Sequence, residues 1–362
     1  MKKTIAIGML TACALAGIGA RGEELNVEFG ETVTLTGDKT VDGGIVAGTL
    51  ILENGVTLTL ANNIFASTAV VDMRGATIVG FSGAHDVTLP CSFVIADNTL
   101  NQISNINDLL DQYHRNGCNV WFTGQITGAG TLTLLSTGRG FILDSATAWS
   151  EFYGTLNLNM SDGEDFSGRI SAGNFYHCNV NVIAGKLNYS VANGTDFGSL
   201  SVHSDATFNC DRGWWNDSNI LKLYSDSTLG GTFTGNELDV NVYNGAKVTI
   251  DADIARVHVD VNGALSGNGT IGTLRIWGNQ IGVSNPAASI LKIQNGHADN
   301  IGGALVITGE AGSRSGNPVL EVTDTSKFNV QLSSALAADG WKLKEESGVY
   351  SIYKNGLMII IR

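Results

Sequence analysis

Three prolines in 362 residues is very few, and a charged fraction of 15% is low. Proline deletes a ladder hydrogen bond from any strand with neighbours on both sides, so its scarcity leaves the chain free to build extended sheet. A disordered chain would be rich in proline and charge, and that class is excluded. Beyond residues 4–19, no apolar run approaches the ~20 residues of a spanning helix, so the mature chain is expected to have no transmembrane segment. Positive charge is also short, with 21 Lys and Arg against 34 Asp and Glu, a net charge of −13. That balance argues against nucleic acid and anionic membrane surfaces as partners. Motifs for metals and catalysis are missing too. The six histidines do not pair at ligand spacing, and there is no CxxC, HExxH, Gly-x-Ser-x-Gly or Gly-Gly-x-Gly-x-Asp. No metal, cofactor or catalytic residue is expected from those patterns.

What is present begins with an export signal. Lys2 and Lys3 precede an apolar stretch that runs to about Gly19 and ends in small residues, the pattern of a secretory signal peptide over residues 1–20. Two processing routes are open. One is cleavage after Ala20. The other is lipidation of Cys13, because Leu10-Thr11-Ala12-Cys13 resembles a bacterial lipobox. The apolar run continues beyond Cys13, which favours simple cleavage. Removing two lysines leaves 19 basic against 34 acidic residues, or −15. Cys91, Cys118, Cys178 and Cys210 remain, an even count that permits disulfides in an exported protein.

From about residue 30 onward the sequence alternates with a period of two. Leu132-Thr-Leu134, Leu156-Asn-Leu158, Val180-Asn-Val182, Leu200-Ser-Val202, Leu221-Lys-Leu223, Leu238-Asp-Val240-Asn-Val242, Val257-His-Val259, Leu274-Arg-Ile276 and Leu291-Lys-Ile293 each read as a short strand with one apolar face. Their starts recur at intervals of roughly 20 residues, wider from Leu132 through Leu156 to Val180 and narrower from Val257 through Leu274 to Leu291. A sandwich shows turns about every 8–12 residues and no larger period, whereas an interval of this size is that of a solenoid rung. Each rung can bury its inward face only by stacking on the next. Within this pattern "ALSGNGTIGTLRI" (264–276) reads as a rung corner, its glycines supplying positive φ where the chain bends. A phosphate cradle would need a helix after the glycines, and Thr273–Ile276 is strand-like.

Two stretches also carry a family resemblance. "TGAGTLTLLSTGRGFILDSATAWSEFYGTLNL" (127–158) resembles the autotransporter-associated β-strand repeat, with its Gly-x-Gly-x-Leu-x-Leu core and Gly-Thr-Leu strand. "NGALSGNGTIGTLRI" (262–276) is similar to the Gly-rich stretch near the C-terminal end of such passengers. The resemblance covers roughly 120–280. It implies a right-handed parallel β-helix, exported and displayed at the cell surface, outer membrane or exterior of a Gram-negative bacterium. A complete autotransporter ends in an outer-membrane barrel of many amphipathic strands. The stretch that follows the resemblance here is too short for one, so self-export is in doubt.

The expected organisation is a signal peptide over 1–20, a parallel β-helix over 21–330 and a C-terminal β cap over 331–362. One helical excursion is expected at about 99–117, where Ile103, Ile106, Leu109, Leu110 and Tyr113 share a helical face. The cap is expected to contain a β-hairpin, with Asn355-Gly356 a strong type I′ turn signal. Cys91 and Cys118 flank the excursion and could bridge; Cys178 and Cys210 are a second pair. For ligand contact the stretch 209–219 stands out, with Trp214 and Trp215 beside Asp211 and Arg212. Aromatic rings next to charged groups suit sugar rings, although one tryptophan clamping a loop onto the stack is the plainer account. Outward Asp239, Asp251, Asp253 and Asp260 could supply the two carboxylates of glycoside cleavage, but alternating Asp on a solvent face is also ordinary solubility patterning. The expected role is therefore an exported scaffold or adhesin-like protein without catalysis. A carbohydrate-binding or polysaccharide-cleaving β-helix is the alternative.

Overall fold

The structure, a computed structural model, describes residues 22–80, 87–105, 119–136, 140–143, 148–160, 168–170, 175–189, 195–210, 219–235, 238–285, 289–300, 303–308 and 317–354. They are almost entirely β-strand and fall into two compact units. One comprises the described residues up to Val191 with Asp205–Asn209, the other Ala192–Ser204 with the residues from Cys210 on. Both units are β-solenoids built from parallel strands, as the recurrence of alternating runs predicts.

In the first unit each rung has three faces. One face stacks Lys39–Gly43, Thr57–Leu60, Thr77–Gly80, Leu100–Asn105, Thr131–Ser136, Thr155–Met160 and part of Phe175–Tyr189. A second stacks Thr32–Leu35, Thr49–Leu52, Val70–Met73, Ser92–Ile95, Ile126–Gly128 and Glu151–Phe152. The third starts as single bridges from Val27 to Val46 to Phe65 and continues as Val87–Leu89, Val120–Phe122 and Phe141–Ile142. The alternation in the sequence becomes alternation in space. In "TLTL" (131–134) both leucines are buried and both threonines are half-buried. Register follows the apolar positions: Leu132 pairs with Leu156, and Leu156 with Val180. A slip by one residue would turn every leucine out to solvent.

The second unit repeats the plan. Asn219–Leu223, Leu238–Val242, Asp253–Val259 and Thr270–Ile276 stack on one face. Ser227–Leu229, Lys247–Ile250, Ala264–Ser266, Gln280–Val283, Gly303–Ile307 and Phe328–Leu332 stack on the next. The opening strands of Asp253–Val259 and Thr270–Ile276 lead a third face through Leu291–Gly296 to Pro318–Val322. The corner at 264–276 behaves as its glycines suggest. Gly267 has φ +114°, and a Cβ there would lie 2.0 Å from the Ile250 carbonyl oxygen one rung below. Gly128 does the same in the first unit, with φ +99° and 2.0 Å to the Ile95 oxygen.

Three buried asparagines close corners where the strand ladder stops. Asn101 Oδ1 accepts from the Gly75 and Ala76 amides. Asn285 Oδ1 accepts from Gly267, and Asn300 Oδ1 from Ile276, while both carboxamides donate to carbonyls, of Val319 and Leu274. These side chains stand in for backbone partners that would otherwise be orphaned in the interior.

The parallel stack ends where Val349–Lys354 adds antiparallel to Pro318–Val322 and forms a hairpin with Trp341–Glu346. The cap's hairpin turns at Ser347-Gly348, with φ of 51° and 82°; the further turn expected at Asn355-Gly356 lies outside the described residues. A short helix, Ser334–Ala338, precedes it.

Two expectations are corrected. Residues Leu100–Asn105, at the start of the expected helix, form a strand with Ile103 between Ile78 and Leu134. Pairing on both sides overrides the helical spacing of the apolar residues; 106–118 lie outside the described residues. Leu200 does not sit beneath Leu221: Thr195 does, and Ser201 and Val202 pair with Thr228 and Leu229. Likewise Leu274 pairs with Gly296, not Leu291. Cys91 and Cys178 are free, buried thiols. Cys91 lies in the interior beside buried Leu89 and Phe93, where it packs as a small apolar side chain. Burial pushes both thiols up to about 12, so neither is a ready nucleophile. Cys118 and the Cys210 side chain lie outside the described residues.

Candidate functional site

Where a solenoid buries its whole interior in packing, ligand chemistry falls to its outer faces. Trp214, Trp215, Asp211 and Arg212, the ligand contacts expected from sequence, lie outside the described residues. The structure instead brings together a set of rings and charges on one outer face of the second unit.

The strands responsible share a short pattern: Leu221-Lys-Leu-Tyr224, Val240-Asn-Val-Tyr243, Val257-His-Val-Asp260 and Leu274-Arg-Ile-Trp277. The apolar residues at its first and third places are buried, so the second and fourth places face out. Register aligns Lys222, Asn241, His258 and Arg275 in one column. The residues that follow form a second column of Tyr224, Tyr243, Asp260 and Trp277. Their rings touch in series. Tyr224 stacks on Tyr243 at 5.0 Å, Tyr243 meets Trp277 at 5.5 Å, and Trp277 meets His258 edge-on at 5.4 Å. His297 extends the series, 6.5 Å from His258.

Charges on this face come in opposite pairs. Lys222 Nζ lies 3.4 Å from Asp196 Oδ1, which also accepts from Tyr224 Oη at 3.1 Å. Arg256 Nε contacts Asp239 Oδ1 at 2.5 Å, an ion pair bent out of hydrogen-bond alignment. Arg275 Nη2 donates to Asp299 Oδ2 at 2.8 Å. Half-buried His258 has its pKa lowered, first by burial and then by Arg275, His297 and Arg256, with Asp239 opposing. Asn241 is only 8% exposed, and its Oδ1 has no hydrogen-bond partner, while its amide reaches Tyr243 Oη at 3.4 Å.

The four outward carboxylates considered for glycoside cleavage are not gathered into a pair of like function. Asp239 is held by Arg256, Asp251 caps the Asn268 amide, and Asp260 accepts from Val261 in its own turn. Asp253 opens its strand, exposed. Among the described residues no cluster of three His, Cys, Asp or Glu side chains could hold a metal. No described helix is long and apolar enough to cross a membrane.

Reading the sequence by strands missed this face. The signal was available, because an aromatic follows the apolar-polar-apolar triplet at 224, 243 and 277, one or two rungs apart. No family model matches the chain, and neither curated proteins nor solved structures show a significant match.

Proposed function

We propose that the chain is an exported, non-enzymatic β-solenoid with a scaffold or adhesin-like role at the surface or exterior of a Gram-negative bacterium. One observation carries this reading. Inward positions are given over to apolar packing in both units, while the outer face of the second unit carries an ordered set of rings and paired charges. Such an arrangement presents a surface. The start of the sequence, with Lys2, Lys3 and the apolar run to Gly19, supports export. The resemblance of 127–158 and 262–276 to autotransporter passenger repeats supports surface display. Carbohydrate binding is the second reading, and the Tyr224–Trp277 face is what favours it.

The test is cell fractionation with sequencing of the mature N-terminus. The reading expects protein in the outer-membrane or extracellular fraction, starting after Ala20 or at a lipidated Cys13. Full-length protein in the cytoplasm with Met1 retained would overturn it.

A further inference from the structure

We propose that the outer face of the second unit is a binding site for a neutral glycan chain, with Trp277 as its stacking ring and Tyr243 as the ring that props it. This rests on the surface-binding reading above and names its ligand class. Two observations lead to it.

The first is exposure. Trp277 is 37% exposed, whereas Trp149 and Trp341 are buried. Its ring is not needed to close the interior, which Leu274 and Ile276 fill from beneath. An indole held open to water and steadied by neighbouring rings offers an apolar plate to the C–H face of a pyranose. Tyr224 and Tyr243 prop this plate, and strands about 4.8 Å apart bring a new outward side chain under a chain crossing them at each rung.

The second is charge. The cations Lys222, Arg256 and Arg275 each face a carboxylate, from Asp196, Asp239 and Asp299. The face thus offers fixed donors and acceptors of both kinds without an excess of positive sign. That suits hydroxyl groups, which donate and accept at once. It does not suit phosphate or a polyanionic sugar, which the net charge of −13 would also repel.

The experiment titrates the full-length exported protein, by calorimetry, with neutral hexasaccharides (cellohexaose, mannohexaose, maltohexaose and chitohexaose) and with hexagalacturonate as the acidic comparison. Thermal melts confirm that each variant is folded. At least one neutral hexasaccharide should bind. Trp277→Ala and Tyr243→Ala should each weaken it about tenfold, and Trp277→Phe should retain most affinity. Tyr153→Ala, on an exposed ring of the first unit, should change nothing. Failure of every neutral sugar, preference for hexagalacturonate, or wild-type affinity in both Trp277→Ala and Tyr243→Ala would overturn the site. Surface location with no sugar binding would overturn this site and leave the scaffold reading standing.

Discussion

In the first unit a run of rings lies inside, although Phe29, Tyr153 and Tyr176 are exposed. Phe65, Phe93, Phe122, Trp149 and Phe175 form one continuous series in the interior, with centroids 5.6–6.2 Å apart. In the second unit every buried hydrophobic residue described from Leu221 to Leu305 is Leu, Ile, Val or Ala, and Tyr224, Tyr243 and Trp277 stand outside. Rung length goes with the difference where these rings lie, although each unit also holds the other length, with Thr32 paired to Thr49 in the first and Gln280 to Ala304 in the second. In the first unit the side chains of Asn157 and Asn181, register partners joined by a hydrogen bond, are separated by one rung of 24 residues. In the second, the register partners Thr249 and Ser266 are separated by one of 17 residues. A longer rung can enclose a wider interior, which rings fill to native packing density in the first unit. A short rung is closed by aliphatic side chains alone, and its aromatics are left on the outside.

The largest effect that would break this comparison comes from charge. Val259→Asp and Leu223→Asp place an unpaired carboxylate in the narrow interior and should cost several kcal/mol, enough to abolish folding of the second unit. Lys222→Asp, one residue away but facing out, should change stability by less than about 1 kcal/mol. Equal melting temperatures would show that the faces are wrongly assigned.

Next comes the aromatic interior. Trp149→Ala should destabilise by about 3–5 kcal/mol. Trp149→Phe should cost far less, because it also removes an indole N–H that is buried without a partner. Denaturant unfolding measures both, and a Phe variant as damaged as the Ala variant would mean the indole nitrogen is satisfied.

The width argument predicts a smaller effect. Leu274→Phe introduces into a short rung the ring that a long rung accepts, and overpacking should cost about 1–3 kcal/mol. A neutral or stabilised Leu274→Phe protein would show that rung length does not set interior size.

The smallest effect is pH-dependent. His258 has a lowered pKa when folded, so the unfolded chain binds more protons as pH falls below the ordinary histidine value of about 6.5. Stability should therefore decline as pH drops through that value and level off once the folded-state pKa is passed. Thermal melts of His258→Asn should lose this slope; an unchanged slope would place the titrating group elsewhere.

Period-two alternation made the strands legible, and the recurrence of those runs at a solenoid's rung length made the stack legible. Leu132, Leu156 and Val180, and Val257 with Leu274, pair as their spacing indicates. The spacing misled where strands of different faces look alike. Leu200-Ser-Val202 reads like Leu221-Lys-Leu223, but a rung has three faces and these two strands occupy different ones. Leu100–Asn105 was hidden because Ile103 and Ile106 satisfy a helical spacing, while the strand's other inward residues, Asn101 and Asn105, are polar. The outer face was hidden for another reason. A half-buried ring on a sheet depends on neighbours one and two rungs away, and no local window contains them.

The central claim is in-register parallel stacking, and a cross-link tests it most directly. Thr249 and Ser266 are register partners on the outside of the second unit, their hydroxyl oxygens 2.9 Å apart. Neighbouring strands about 4.8 Å apart fall within the Cα separation a disulfide accepts. Thr249→Cys with Ser266→Cys should therefore oxidise to a bridge, identified by peptide mapping, in protein that keeps its melting behaviour. Thr249→Cys with Lys292→Cys, a pair on different faces, should not. A bridge in the second protein and none in the first would contradict the stack.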